Sequence, residues 1–132
     1  MIPTKQMMNA YNWMYSNNRT VKEFGRCKEH KLTFEITNND YAPIRYEWAY
    51  YHYGQPIGRV LIYPNGNKSI HILRRCFSTS DKDNFNGLLK CLDINDVKAH
   101  TQYGLAYLTI PNDDKFHFYI IYDTDKNKWN EI

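Results

Sequence analysis

The sequence predicts an α+β fold, mainly an antiparallel sheet with two helices packed on it. Helical periodicity occurs near residues 4–15 and 80–92, and strand alternation with short turn sequences fills much of the remaining chain. The resulting order is helix, three or four strands, helix, two strands, which favours α+β over alternating βαβ units. We expect one such domain over residues 1–132, a length sufficient to enclose a core without disulfides.

The first predicted element is a helix capped by Thr4. Met7, Tyr11 and Met14 recur at the spacing of one helical face, and Ser16–Asn18 should end the helix. A stripe of methionine and aromatic side chains at this spacing is typical of core packing. We therefore interpret it as the buried face of the helix.

Two predicted strands follow, over residues 31–36 and 44–51. Leu32, Phe34 and Ile36 alternate with polar residues in the first strand, which is typical of a half-buried strand. In the second strand, alternate residues point to opposite faces. One face carries Ile44, Tyr46, Trp48 and Tyr50, and the other carries Arg45, Glu47, Ala49 and Tyr51. The first of these faces should be buried, leaving Tyr51 and Tyr53 outward.

Residues 58–73 predict a β-hairpin, for which two loops compete. A two-residue loop at Asn65-Gly66 would pair Pro64 with Asn67, although proline has no N–H to donate, and would divide the aliphatic residues between two faces. A three-residue loop over 64–66 instead pairs Val60 with Ile70 and keeps the aliphatic residues together. The sequence therefore favours the three-residue loop.

A second helix is predicted near residues 80–92. Ser80 is its expected cap and Asp83 its capping-box partner. Gly87 should destabilise this helix by about 1 kcal/mol relative to alanine. Its apolar stripe comprises Phe85, Leu88, Leu89 and Leu92.

Two strands are predicted after the second helix, Gln102 to Ile110 and Lys115 to Tyr122. Both runs are rich in aromatic and aliphatic residues. Pro111–Asp114 lies between them and reads as a four-residue hairpin loop. This pair would complete the sheet.

The cysteines give little indication of a metal or redox site. Cys27, Cys76 and Cys91 are odd in number and widely spaced, so they predict no disulfide framework, and we expect them to be buried. Cys27 and His30 have a chelating spacing, but no second closely spaced pair completes a zinc site. The sequence therefore predicts no metal site and no cofactor.

No catalytic motif is recognisable, and the sequence predicts that the protein is not an enzyme. A phosphate-binding loop, a dinucleotide fingerprint and a nucleophile elbow are all missing from the sequence. The enzymatic alternative would be a nucleophilic Cys76 paired in space with His71 or His100. We assign no catalytic residues.

Hydropathy predicts a cytoplasmic protein without a membrane partner. No stretch approaches the ~20 apolar residues of a membrane-spanning helix, and Met1–Lys5 leads into no signal-peptide core. Because disulfide frameworks are also not indicated, a reducing compartment is expected.

Aromatic and basic residues provide the clearest indication of a binding surface. Twelve tyrosines contribute to an aromatic content of 16%, which a core of this size cannot bury completely. Residues 1–31 hold six basic and two acidic side chains, a charge suited to contact with phosphates or with an acidic protein surface. Tyrosine is enriched at binding hot spots. The predicted partner-binding residues are Arg26, Lys28, Arg45, Tyr51, His52, Tyr53, Arg74 and Arg75.

Residues 48–90 resemble short accessory proteins of tailed bacteriophages. The resemblance rests on Tyr50-Tyr51-His52-Tyr53-Gly54-Gln55-Pro56-Ile57-Gly58-Arg59-Val60, on Asn65-Gly66, and on Phe77-Ser78-Thr79-Ser80 before a helix with Asn84 and Asn86. It implies a hairpin followed by a Ser/Thr-capped helix. It also implies a stoichiometric inhibitor of host defence, a class that includes anti-CRISPR proteins.

The expected function is therefore non-enzymatic inhibition of a host defence effector in the host cytoplasm. The partner would be a host protein or a ribonucleoprotein such as a Cas complex. The net charge of +3 speaks against imitation of DNA. It favours either a protein–protein contact or a positively charged surface that contacts the effector's own RNA or DNA directly. The alternative is a small nucleic-acid-binding module that stacks bases on Tyr51 and Tyr53. Its phosphate contacts would be Arg45, Arg59, Arg74 and Arg75.

Overall fold

A computed structural model describes residues 3–131 and confirms the α+β class. The first half of the chain contains α1 (Pro3–Asn17), β1 (Val21–Phe24), a short 3-10 helix (Arg26–Lys28), β2 (His30–Asn39), β3 (Ala42–His52), β4 (Gln55–Ile62) and β5 (Lys68–Ile72). The second half contains α2 (Thr79–Cys91), β6 (Lys98–Gln102), β7 (Leu105–Ile110), β8 (Asp113–His117), β9 (Tyr119–Asp123) and β10 (Lys128–Glu131).

The strands form two antiparallel sheets. The larger has seven strands in the order β1-β2-β3-β4-β5-β9-β10, and the smaller has three in the order β6-β7-β8. One contiguous core joins both helices to both sheets. Its most completely buried members include Met7, Leu32, Tyr50, Val60, Ile70, Phe85, Leu88, Leu108 and Ile120.

The predicted hairpin register is confirmed. Val60 lies opposite Ile70, the Tyr63 amide donates to the Asn67 carbonyl at 2.9 Å, and Gly66 has a φ of 93°. A positive φ at this position is the signature of the three-residue loop. Proline and glycine chemistry thus fixed the loop length as expected.

The predicted buried face of β3 is confirmed at Trp48 and Tyr50 but is wrong at Ile44, which is 40% exposed, and Tyr46 is only half-buried. Trp48 is 7% exposed and Tyr50 is fully buried, both on the face that contacts the helices. The pairing with β4 contains a bulge, because Tyr50 lies opposite Gly58 and Tyr51 opposite Pro56. The extra residue lies in β4, so the alternation along β3 is not disturbed.

The cap of α2 differs from the prediction. Ser78 is the N-cap rather than Ser80, and Asp81 rather than Asp83 completes the capping box. The Ser78 hydroxyl accepts a hydrogen bond from the Asp81 amide, and the Asp81 carboxylate accepts one from the Ser78 amide, both at 3.1 Å. Both candidate pairs have the same spacing, and contacts between Asp81 and the sheet select the earlier one.

The contact between the two helices gives Gly87 a role that helix propensity did not predict. A Cβ atom there would lie 3.0 Å from the Thr4 carbonyl oxygen and 3.2 Å from the Met7 Cβ. Thr4, predicted as a cap, lies within α1 and donates through its hydroxyl to the Asp83 carbonyl at 3.2 Å. Glycine therefore allows the helices to approach closely.

The prediction for the last third of the chain is wrong in three places. The expected strand from Gln102 to Ile110 turns back at Tyr103-Gly104, where both residues have positive φ. The loop after Ile110 is shorter than expected, because Ile110 pairs directly with Asp113. The second expected strand breaks at Phe118, where the chain passes from the small sheet to the large one. The result is five strands after α2 in the described residues, rather than two.

The expected burial of the cysteines is wrong. Cys27 and Cys76 are exposed and Cys91 is half-buried, and all three are free thiols. The exposed pair lies in short segments outside the strands, where no core surrounds the side chain.

Among residues 3–131, no helix has the length and apolar character needed to span a membrane.

Two histidines outside the site described below predict a loss of stability with acidification. Partial burial lowers the pKa of both His71 and His100, and basic neighbours lower these values further. The unfolded chain therefore takes up protons first as the pH falls below the ordinary histidine pKa of about 6.5. The histidine contribution to folding is complete above that pH and is lost as the pH falls through the lower folded values.

We expect the double variant His71→Gln/His100→Gln to be less sensitive to acidification than the wild type. Thermal melts of both proteins at pH 7 and pH 5 compare the drop in Tm between these two conditions. An equal or larger drop in the variant would show that these two rings do not contribute to the pH dependence.

Candidate functional site

A buried polar network connects α2 to the end of the large sheet at which β2 begins and β3 ends. Tyr50 lies at its centre, and its hydroxyl donates to the Asp81 carboxylate at 3.0 Å and accepts from the Asn84 amide at 3.1 Å. The same hydroxyl lies 2.8 Å from Nδ1 of His30. All four side chains are buried, so each polar contact replaces water that folding has removed.

The network continues toward the surface through His52 and Glu29. Nδ1 of His52 lies 2.8 Å from the Asp81 carboxylate, and the His52 ring stacks on that of His30 with centroids 4.4 Å apart. A Glu29 oxygen lies 3.2 Å from Nε2 of His30. The other Glu29 oxygen accepts from the Tyr53 hydroxyl at 2.7 Å.

The backbone explains why these side chains meet. The register of β2 and β3 places His30 directly opposite His52. Gly25, with a φ of 86°, lies so close to the His30 ring that a Cβ atom there would be 2.6 Å from its Cδ2. Only glycine permits both that conformation and that approach. The 3-10 helix then leads directly to Glu29.

The surroundings shift the pKa values of four groups in this network. Burial and the Asp81 charge raise the pKa of Tyr50, and burial together with His52 lowers the pKa of His30. The hydrogen bond between Tyr53 and Glu29 lowers the pKa of Glu29 and raises that of Tyr53. Near neutral pH these shifts favour the protonated hydroxyls of Tyr50 and Tyr53, a neutral His30 ring and an ionised Glu29.

An open cleft of about 600 Å³ lies beside the network. It is lined by His52, Tyr53, Gln55, Arg74, Cys76, Phe77, Ser78 and Asp81. The cleft therefore gives a solvent-exposed approach to the His52 and Asp81 end of the network.

Five of the eight predicted partner-binding residues belong to the segments around this cleft. His52, Tyr53 and Arg74 line it. Arg26 and Lys28 belong to the 3-10 helix, and the Tyr53 amide donates at 2.7 Å to the carbonyl of the next residue, Glu29. The structure thus brings residues from three separate chain segments to one end of the sheet.

The other three predicted residues lie elsewhere. Tyr51 is on the opposite face of β3, where Lys31 Nζ lies 4.5 Å from its ring centroid. Arg45 is near the far end of the same strand, opposite Thr37. Arg75 stacks on the Phe118 ring at 4.2 Å. The expected single row of tyrosines is therefore divided between two surfaces.

Comparisons with known proteins were made at the level of family, sequence and structure. No family model, curated protein or solved structure matches this chain. The phage resemblance of residues 48–90 is accordingly neither supported nor opposed by them. The function has to be inferred from the geometry of the network and the cleft.

Sequence reasoning missed Glu29, His30, Asp81 and Asn84 as members of one site. Tyr50 was expected to be an ordinary core residue, although its hydroxyl organises the network. One signal was available: His52 continues the alternation that buries Trp48 and Tyr50. A titratable side chain in that position requires a polar partner inside the fold.

The structure also changes the neighbours available to Cys76. The enzymatic alternative paired it with His71 or His100, but the histidine that lines the same cleft is His52. His100 instead bonds Thr109 at 2.8 Å, and His71 contacts the edge of the Tyr119 ring. These contacts place both rings in other parts of the fold.

Proposed function

We propose that this protein is a non-enzymatic binding protein of the phage accessory type that inhibits a host defence effector, such as a Cas complex. The contact surface is the cleft with the 3-10 helix beside it, defined by Arg26, Lys28, His52, Tyr53 and Arg74. The observation that carries the proposal is that His52, Tyr53 and Arg74 line one cleft, while the Tyr53 amide is bonded to the carbonyl of Glu29, the residue that follows the 3-10 helix.

The charge around the cleft favours an acidic protein surface as the partner. Arg26, Lys28 and Arg74 are exposed cations. The two nearby acids are already engaged, Glu29 with Tyr53 and His30, and Asp81 with the buried network. A net positive rim of this kind steers an acidic partner and selects its orientation.

Tyr53 is the expected anchor of the contact. Its side chain is 71% exposed, yet its hydroxyl is fixed by Glu29 and its ring stacks on His52 with centroids 4.8 Å apart. An exposed aromatic ring that is already ordered loses little conformational entropy when it binds. This combination is typical of a hot-spot residue.

Binding of purified Cas effectors to the wild type and to single variants tests the proposal. Tyr53→Ala should weaken binding by about 1–2 kcal/mol, roughly 5- to 30-fold, while changing the free energy of unfolding by less than about 1 kcal/mol. Tyr103→Ala is the matched control. Tyr103 is 96% exposed and precedes Gly104 in a turn with positive φ at both positions, as Tyr53 precedes Gly54.

A functional arm uses phage restriction in cells that express each variant. Wild type and Tyr103→Ala should relieve restriction, and Tyr53→Ala should do so less. If none of the effectors is retained and restriction is unchanged by the wild type, the proposal is wrong.

The nucleic-acid alternative has weaker support from the placement of its residues. Tyr51 and Tyr53 do not share a surface, Arg75 stacks on Phe118, and Arg59 lies 3.7 Å from Glu47. Fluorescence anisotropy with labelled oligonucleotides at low salt distinguishes the two functions. Binding that weakens steeply with salt would favour the alternative.

A further inference from the structure

We propose that Glu29, His30 and His52 bind one divalent first-row transition-metal cation, with Zn²⁺ as the reference ion. Each residue offers one ligand atom, and these atoms lie within 4.8 Å of one another. Two imidazoles and one carboxylate are a ligand set that zinc accepts in proteins, with a further position left for water or a partner group. The site shares His52 with the proposed contact surface, but metal binding does not require the proposed function.

The distances are close to those of a coordinated ion. Two ligands at about 2.1 Å from a tetrahedral ion are about 3.4 Å apart. The contact between Nε2 of His30 and a Glu29 oxygen, at 3.2 Å, already has this length. The widest separation in the group needs to shorten by about 1.4 Å. The partly exposed side chains of Glu29 and His52 can supply this movement.

Hydrogen bonds of the buried network engage Nδ1 of both histidine rings. The single Tyr50 hydrogen goes to the Asp81 carboxylate, which can only accept, so Nδ1 of His30 must donate to the Tyr50 oxygen. Nδ1 of His52 likewise donates to Asp81. Nε2 of each ring remains as the candidate ligand atom, and that of His30 lies 3.2 Å from a Glu29 oxygen.

The groups behind the ligands resemble those that support metal sites. Metal-binding histidines usually donate the second ring nitrogen to a carboxylate or another fixed acceptor, which sets the tautomer and the orientation of the ring. Asp81 plays that part for His52, and Tyr50 plays it for His30. Tyr53 holds the Glu29 oxygen that does not face His30. All three ligands are thus oriented before an ion binds.

A second cluster of histidine and acids provides an instructive contrast. His117 is buried between Asp113 and Glu131, and its two ring nitrogens lie 3.1 and 3.3 Å from these carboxylates. Both nitrogens of that ring face acids. In the Glu29, His30 and His52 group, by contrast, Nδ1 of each ring contacts a group outside the cluster, Tyr50 for His30 and Asp81 for His52.

Titration of tag-free, metal-stripped protein with Zn²⁺ by calorimetry tests the site, and Co²⁺ absorption reports the ligand geometry. The Cys27→Ser/Cys76→Ser background removes the exposed thiols as competing ligands. We expect one equivalent of Zn²⁺ per chain and no comparable binding of Mg²⁺, which prefers oxygen ligands. Glu29→Gln and His52→Gln should each weaken Zn²⁺ binding by at least about 10- to 100-fold.

His100→Gln is the matched control and should bind Zn²⁺ as the background protein does. Circular dichroism of every variant establishes that it is folded. If His52→Gln unfolds, Glu29→Gln decides, because Glu29 is partly exposed and glutamine retains an oxygen for Tyr53. The proposal is overturned if the folded background protein binds no equivalent of Zn²⁺, or if Glu29→Gln binds it unchanged.

Discussion

Replacing Trp48 with alanine is expected to lower the free energy of unfolding by about 3–5 kcal/mol. The indole packs between Tyr11 and Phe34, with ring centroids 4.7 and 4.6 Å away, and only 7% of the residue is exposed. Alanine would leave a large apolar cavity between α1 and the sheet. A domain of this size has a total stability of only ~5–15 kcal/mol, so the variant should be close to unfolding. Urea denaturation measures the loss.

Tyr51→Ala is the control for Trp48→Ala, because both residues lie on β3 but on opposite faces. Tyr51 is half-buried and contacts Lys31, so its removal should cost about 1 kcal/mol or less. If Tyr51→Ala destabilises the protein more than Trp48→Ala does, the buried and outer faces of β3 have been assigned in reverse.

Asp81→Ala should lower the free energy of unfolding by a similar amount, about 3–5 kcal/mol. The carboxylate accepts from the Tyr50 hydroxyl, His52 Nδ1 and the Ser78 amide, at 3.0, 2.8 and 3.1 Å. Its removal leaves the buried Tyr50 hydroxyl without that acceptor and opens the cap of α2. Thermal and chemical denaturation would both report the change.

Asp83→Ala provides the comparison for Asp81→Ala within the same helical turn. Asp83 was the capping partner expected from the sequence, but its side chain pairs with Lys82, at 3.4 Å, rather than with the start of α2. We expect its replacement to cost less than about 1 kcal/mol. Equal losses for the two aspartates would mean that the contacts of Asp81 with the sheet contribute nothing to stability.

The elements predicted successfully are those determined by local sequence. Alternation correctly predicts the burial of Leu32, Trp48 and Tyr50, but not the exposure of Ile36 and Ile44 at the other end of the β2–β3 pair. The 64–66 loop follows from the properties of proline and glycine. The apolar stripe of α2 predicts its position to within two residues. In each case a few neighbouring residues contain the whole physical argument.

The failures occur where local rules admit more than one answer. The Tyr103-Gly104 turn is tight because both residues adopt positive φ, a conformation that tyrosine enters only when strand pairing on both sides compensates. Ser78 and Ser80 are equally good caps by spacing. Only the position of the sheet, which touches Asp81, decides between them.

The candidate site was the hardest feature to predict. Glu29, His30 and His52 come from two segments brought together by strand register, and Asp81 comes from a helix nearly 30 residues further along the chain. A search for closely spaced ligands cannot find such a group. The spacing of Cys27 and His30 pairs these two residues in the sequence. In the fold, His30 lies opposite His52 on the neighbouring strand.

The order of strands in the large sheet restricts how another polypeptide could attach. Its two outermost strands, β1 and β10, have four residues each and carry charged side chains at Lys22, Glu23, Lys128 and Glu131. Short, charged borders are a common protection against the addition of foreign strands and against fibre growth. The borders of the large sheet therefore offer little main-chain surface with which another polypeptide could pair.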